Sequence, residues 1–421
     1  GKAYWPGEKY CFALGSLSLS LSLSLSHTHT HTHTHTHTHA CVHTIFMFDE
    51  YPASITGLCP QSVGKSTEKF REEAVVKLRQ EEHDEESKAT SFLSLLTELK
   101  ACAQKKDLYQ ARRIHTELHN SGLLQKDAHL GNTMVSVYAK CGALSKAREV
   151  LNGLPLRDVV SWNALIAGYA QHGCGKEALG CFHQMCREGL SPNAITYACA
   201  LKACGLMQDL HMGERIHNEI ARQGLLEKDV MLGNALVDMY AKCGTLAKAQ
   251  KVLDGLPLRD VVSWTALIAG YAQHGCGKEA LGCFHQMRRE GLSPDAITYA
   301  CALNACGLTQ DLHMGERIHD EIARQGLLEK VFMLGNALVD MYAKCGTLAK
   351  AQKVLDGLPL RDVVSWNALI AGYAQHGCGK EALGCFHQMQ RKGLSPSAIT
   401  YACTLKACGL TQDLQMGENS Q

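Results

Sequence analysis

Seven histidines alternate with threonine between His27 and His39, and neutral imidazoles at that density could chelate zinc or nickel. A run of Ser-Leu dipeptides precedes them. Two dipeptide repeats in succession offer no varied side chains from which to shape a site, so residues 1–66 read as disordered low-complexity sequence. A second candidate, "GLCPQSVGKS", ends like a phosphate loop. Such a loop needs four residues between its glycines so that successive backbone N–H groups wrap the phosphates. Gly57 and Gly64 are separated by six, with Cys59 where the first glycine belongs. A third pattern pairs His115 with Glu117, His217 with Glu219 and His319 with Glu321, the His-x-Glu half of a zinc deaminase. The other half, C-x-x-C, occurs nowhere in the chain. Residues two apart on a helix also project about 200° from each other. None of these groups makes a catalytic constellation, so the expectation is a protein that is not an enzyme and needs no metal, cofactor or small-molecule substrate.

Composition narrows the class. Lysine and arginine number 42 against 41 acidic residues, a formal charge of +1, so no generally basic surface exists and nucleic-acid affinity would have to come from bases. Most of the 20 cysteines recur at fixed intervals (Cys141, Cys243, Cys345; Cys174, Cys276, Cys378) inside helical patterns, which suits a reduced intracellular chain better than a disulfide scaffold. No run of about 18 apolar residues is present, so a membrane span is not expected. Residues 1–48 are poor in acid and rich in Ser, Thr and His, as a transit peptide would be, but contain no Arg; translated untranslated sequence is the alternative. The chain opens on Gly1, which suggests a fragment or an incomplete gene. Residues 67–91 carry dense mixed charge and read as a solvated lead-in helix.

From residue 92 onward a repeat dominates. Trp162, Trp264 and Trp366 lie 102 residues apart, as do Asn132, Asn234 and Asn336. Each block divides into units of 36, 31 and 35 residues. The units are 92–127, 128–158, 159–193, 194–229, 230–260, 261–295, 296–331, 332–362 and 363–397, with a partial unit at 398–421. In residues 159–193, Trp162, Leu165, Ile166 and Tyr169 follow a helical stripe, "HGCG" breaks it, and Ala178, Leu179, Phe182 and Met185 start another. Six of the nine prolines fall at unit ends, where they stop the second helix. One helix pair cannot bury its apolar stripe alone, so pairs must stack: the expected fold is an all-α solenoid of about twenty helices without β-sheet. At the C-terminus "QMGENSQ" replaces the second helix seen at "HMGERIHNEIARQG", and residues 398–421 are expected to fray.

"VVSWNALIAGYAQHG", "GNALVDMYAKCG" and "LKAC" with "GERIH" resemble the pentatricopeptide repeat family, specifically its plant PLS subclass of 35-, 36- and 31-residue motifs. The resemblance covers residues 92–421. The tetratricopeptide repeat shares an early Trp, Leu and Tyr but keeps to about 34 residues. The resemblance implies sequence-specific binding of single-stranded RNA, one base per unit, in organellar RNA editing or processing, in the mitochondrion or the chloroplast with the mitochondrion set first. It also implies partner proteins for editing or processing and no membrane. A protein-binding helical scaffold is the alternative.

In this family the fifth and last residues of a unit are implied to select the base. Across the three 35-residue units only four columns vary, namely Asn163/Thr265/Asn367, Cys186/Arg288/Gln390, Glu188/Glu290/Lys392 and Asn193/Asp295/Ser397, and two of them are these positions. Ala167 and Ala170, four and seven residues past Asn163, leave room above it for a ligand. A carboxylate only accepts and should favour U or G, whose edges present N–H, while Asn or Ser can donate to C or A. The resemblance adds that Asn at the fifth position favours pyrimidines and Thr purines. Asn132 with Asp158, Asn234 with Asp260 and Asn336 with Asp362 then imply U; Asn163 with Asn193 implies C or U; Thr265 with Asp295 implies G; Asn367 with Ser397 implies C. Leu96, Ala198 and Ala300 donate nothing, and their bases stay open. The expected target reads N-U-Y-N-U-G-N-U-C from 5′ to 3′.

Overall fold

The computed structural model describes residues 94–418, so the histidine tract and the charged segment 67–91 lie outside the described residues. Every element among the described residues is helical, twenty-one in all. They fall in two compact parts, one ending at His172 and one running from Gly173 onward.

The first part holds α1 (94–105), α2 (Leu108–Asn120), the single turn α3 (Leu123–Lys126), α4 (Ala128–Lys140), α5 (Leu144–Gly153) and α6 (Val159–Gln171). The second begins with α7 (Gly175–Arg187), α8 (Ala194–Met207), α9 (Leu210–Arg222), α10 (Val230–Lys242) and α11 (Leu246–Gly255). It continues with α12 (Val261–Gln273), α13 (Gly277–Arg289), α14 (Ala296–Thr309), α15 (Leu312–Arg324) and the turn α16 (Leu327–Lys330). It closes with α17 (Phe332–Lys344), α18 (Leu348–Gly357), α19 (Val363–Gln375), α20 (Gly379–Arg391) and α21 (Ala398–Glu418).

Caps explain where these helices start. Asp158, Asn193, Asp260, Asp295 and Asp362 each accept the backbone N–H three residues on, and the Ser or Thr there returns the bond to the cap's own N–H. A cap of this kind contributes about 1 kcal/mol. Helices end where the chain must turn left-handed: Gly244 (φ 73°) and Gly275 (φ 78°) follow α10 and α12.

In the second part α8, α10, α12, α14, α17, α19 and α21 pack one against the next as a continuous row, with the second helices of each pair laid on it. Trp264 and Trp366 sit in this core with 2% and 0% exposure, and Trp162 is as deeply buried in the first part. Removing one indole from water contributes up to about 4–6 kcal/mol, the product of about 150–250 Å² and about 25 cal/mol/Å². The row is tight at its glycines. A Cβ on Gly270 would stand 2.5 Å from the Ala241 Cβ, so α10 and α12 can approach only because that atom is missing.

Where α14 ends at a left-handed Gln310 (φ 56°) and α15 begins, α21 runs unbroken from Ala398 to Glu418. The octapeptide "ACGLTQDL" is the same in both places, 305–312 and 407–414, so the break is not local. It accompanies a following helix with an apolar stripe to bury, supplied at α15 by Met314, Ile318 and Ile322.

Candidate nucleic-acid interface

The fifth residues of the 31- and 35-residue units all lie on first helices and turn inward. Asn132, Asn163, Thr265, Asn336 and Asn367 are buried, and Asn234 is half-buried. The open space imagined above Asn163 is accordingly narrow, since the side chain is 7% exposed. The last residues are more open: Asn193 and Asp295 are exposed, and Asp158, Asp260, Asp362 and Ser397 are half-buried.

In the 31-residue units and in the unit 363–397 the fifth and last residues meet directly, the last residue standing at the start of the next first helix. In the 31-residue units Asn132 Nδ2 donates to both carboxylate oxygens of Asp158 (3.2 and 3.0 Å), Asn336 Nδ2 to both of Asp362 (3.2 and 3.1 Å), and Asn234 Nδ2 to Asp260 (3.0 Å). A carboxylate can only accept, which fixes the amide orientation. In consequence Asn132 Oδ1 and Asn234 Oδ1 are buried with no hydrogen-bond partner among the described residues. A buried carbonyl left in this state costs about 1–3 kcal/mol.

The 35-residue units are wired differently. Thr265 Oγ1 lies 2.7 Å from Thr298 Oγ1, and Thr298 Oγ1 donates to Asp295 Oδ1 at 2.7 Å. Asn367 Nδ2 donates to Ser397 Oγ (3.2 Å) while its Oδ1 accepts from Thr400 Oγ1 (2.6 Å). Asn163 and Asn193 belong to different compact parts; Asn193 Oδ1 accepts from the Thr196 backbone and hydroxyl, both at 3.0 Å.

Residues 157–205, 259–307 and 361–409 match the model of the PPR repeat family, and residues 132–159 match that of the PPR repeat. The chain carries pentatricopeptide repeats. A chloroplastic pentatricopeptide repeat-containing protein of Arabidopsis thaliana is 38% identical over 320 residues, 76% of this chain and 51% of that protein. A mitochondrial one from the same plant is 42% identical over 306 residues, 72% and 48% of the two chains. The chain thus spans about half the length of the curated relatives it matches. The pentatricopeptide repeat protein PPR10, crystallised with an 18-nucleotide psaJ RNA element, superposes with a TM-score of 0.58 at 22% identity over 71% of this chain and 45% of that one. PPR10 from maize does so with 0.54 at 21% identity over 74% and 45%. These likenesses establish the helical-repeat solenoid.

The pentatricopeptide repeats also account for the histidines of the His-x-Glu pattern. His115, His217 and His319 place Nδ1 at 2.8 to 2.9 Å from the hydroxyls of Tyr138, Tyr240 and Tyr342. Burial holds each imidazole below its usual value and pushes each of these phenols up to about 12. Glu219 turns instead to Arg222, and Glu321 to Arg288. No group of three or more His, Cys, Asp or Glu that could hold a metal occurs among the described residues. All cysteines among them are free thiols, and burial pushes Cys204, Cys283 and Cys306 up to about 12, far from a reactive thiolate.

What the sequence reading missed is the third residue of each following unit, buried Ser263, Ser365, Thr298 and Thr400. Ser263 and Ser365 hydroxyls stay on the cap backbone, donating to Asp260 and Asp362 carbonyls. Thr298 and Thr400 also reach back to the preceding unit. The available signal was the spacing Asp/Asn/Ser-x-x-Ser/Thr, a capping pattern, at the junctions that follow the 31- and 35-residue units.

Proposed function

We propose that this pentatricopeptide repeat array, of the PLS subclass and parsed into units of 36, 31 and 35 residues over 92–397, binds single-stranded RNA in a sequence-specific manner. Each 31- and 35-residue unit reads one base through its fifth and last residues. The observation that carries this reading is the buried, partnerless carbonyl of Asn132 and Asn234, held in place by the Asp158 and Asp260 carboxylates. An acceptor so placed asks for a donor, and the N3–H of uracil supplies one where cytosine presents a bare ring nitrogen. The near-neutral charge fits an affinity drawn from bases more than from phosphates. Relatives named as chloroplastic or mitochondrial support an organellar transcript as target, with editing or processing specificity as the role. PPR10 bound to RNA supports the ligand class. The catalytic step would come from elsewhere in the assembly.

The test is binding to a nine-nucleotide RNA, N-U-Y-N-U-G-N-U-C, against a permuted control of equal composition. Thr265→Asn should then move the sixth base from G towards U, by roughly 5-fold to 150-fold for a polar mismatch of about 1–3 kcal/mol. Equal affinity for target and control would sink the proposal.

A further inference from the structure

The last residue of a 35-residue unit is an N-cap, occupied by its own helix, and yet its identity is expected to choose the base. The hydroxyl chains show how it can act. Thr298 is fully buried and hydrogen-bonds on both sides, to Asp295 through Oγ1–H and to Thr265 through its oxygen. Because the carboxylate accepts only, the Thr298 proton is committed to Asp295, and Thr298 Oγ1 must accept from the Thr265 hydroxyl. Protons therefore point from the fifth residue towards the last. Thr265 has spent its one donor inward and offers only lone pairs to a ligand.

In the next round the direction reverses. Thr400 Oγ1 donates to Asn367 Oδ1 at 2.6 Å, so it must accept from Ser397 Oγ, which lies 3.0 Å away and, unlike a carboxylate, carries a proton. Through Thr400, protons point from the last residue towards the fifth, while Asn367 Nδ2 donates directly back to Ser397 Oγ at 3.2 Å. The Asn367 carbonyl accepts from Thr400 and one amide N–H goes to Ser397, which leaves its second N–H as the amide's remaining donor. The serines after the 31-residue units do not close such a chain, since Ser263 and Ser365 hydroxyls donate to the cap backbone.

We infer that Thr298 and Thr400 are positioning residues that relay the proton polarity of the last residue to the fifth, so that Asp295 makes Thr265 an acceptor and Ser397, through Thr400, occupies the Asn367 carbonyl. This rests on the base-reading proposal above and adds a third position to the sites of Thr265 and Asn367, contributed by the following unit. It accounts for G over A at the unit holding Thr265: guanine presents N1–H and an amino group to an acceptor, whereas adenine presents a bare N1.

The experiment measures the ratio of affinities for two RNAs that differ only in G or A at the sixth base, using the full chain. The unsubstituted protein should favour G by about tenfold or more, the scale of one buried hydrogen bond. Thr298→Val keeps the shape of the side chain and removes the relay, so the Thr265 hydroxyl can turn its proton outward and the ratio should fall below about threefold. Thr298→Ser retains the hydroxyl and should restore it. Circular dichroism on each variant confirms the helical fold, and the serine variant keeps the test decisive should the valine variant unfold. A G/A ratio unchanged in Thr298→Val, or lost equally in Thr298→Ser, overturns the relay. No G/A preference in the unsubstituted protein would instead overturn base reading at this unit, and the relay with it.

Discussion

Segments 261–295 and 363–397 differ at four positions, and all four rewire hydrogen bonds on the same helical frame. In the first, Trp264 Nε1 donates to Glu290 at 3.0 Å, and Arg259 stands 3.3 Å from the same carboxylate. In the second, Lys392 replaces that glutamate; Trp366 Nε1 is buried without an acceptor, and Arg361 donates to the Asp356 carbonyl instead. Lys392 does gain at its helix C-cap, where a cation meets the negative end of the dipole, but that is worth about 0.3–1 kcal/mol. An unsatisfied buried N–H costs about 1–3 kcal/mol, so the indole outweighs the dipole. Two of the four changes thus lie at the proposed base site, and the other two concern the brace and the flank behind it. Copies of one sequence thus differ both in the bond that braces the indole and in the hydrogen bonds of the proposed base site.

The largest expected effect exchanges the brace. Glu290→Lys should strand the Trp264 indole and face Arg259 with a like charge, lowering the local stability of α12 by about 2–3 kcal/mol. Lys392→Glu should raise that of α19 by about 1–2 kcal/mol on the same reasoning. Native-state amide exchange, which reads each helix separately, measures both. Opposite signs are required, and a Lys392→Glu variant no more protected than the parent would remove the brace from the comparison.

The glycines test whether the frame is truly shared. A Cβ on Gly372 would meet the Ala343 Cβ at 2.5 Å, as one on Gly270 meets Ala241. Overpacking costs about 1–3 kcal/mol, against about 1 kcal/mol gained from alanine's better helix propensity. Both Gly→Ala variants should therefore be destabilised, and by equal amounts in denaturant titrations; unequal losses would mean the two helix contacts differ.

A smaller effect separates the indoles themselves. Trp264→Phe loses an N–H bonded to Glu290, and Trp366→Phe removes an N–H with nothing to bond, so the first should cost about 1 kcal/mol more than the second. Equal costs would show that the Glu290 contact carries no net energy.

The least effect is common to both rounds. His217 and His319, held by burial below the usual 6.5, stay neutral in the fold while unfolded imidazoles take up protons. Stability is therefore complete above pH 6.5 and falls as pH drops below it, until the folded imidazoles protonate. NMR titration should place both values below 6.5 and close together, and a double His→Gln variant should flatten the pH dependence between pH 6.5 and 5.

Much of this was legible from residues alone. The 102-residue period, the helical stripe through Trp162, Leu165, Ile166 and Tyr169, and the glycine and proline breaks gave about twenty expected helices against twenty-one among the described residues. Local periodicity suffices because each pair is built from near-neighbour contacts. What escaped are contacts between helices far apart in sequence, within a unit or across two. The Trp264–Glu290 bond spans 26 residues inside one unit and the Thr265–Thr298 contact 33 across two, and helical periodicity announces neither. The variable columns marked Thr265 and Asn367; only the fold shows that an invariant Thr, at 298 and 400, stands behind them.

The unbroken α21 changes how a unit boundary should be understood. "ACGLTQDL" bends at Gln310 and continues straight at Gln412, so the same eight residues are a hinge in one setting and a rod in another. Gln310 holds a left-handed backbone that costs a non-glycine residue on the order of 1–2 kcal/mol, and it does so where a downstream stripe rewards the bend. The fold of each round is in this sense written by its successor. A copied 102-residue block followed by a helix with an apolar stripe thus closes its own hinge without any change in the eight residues themselves.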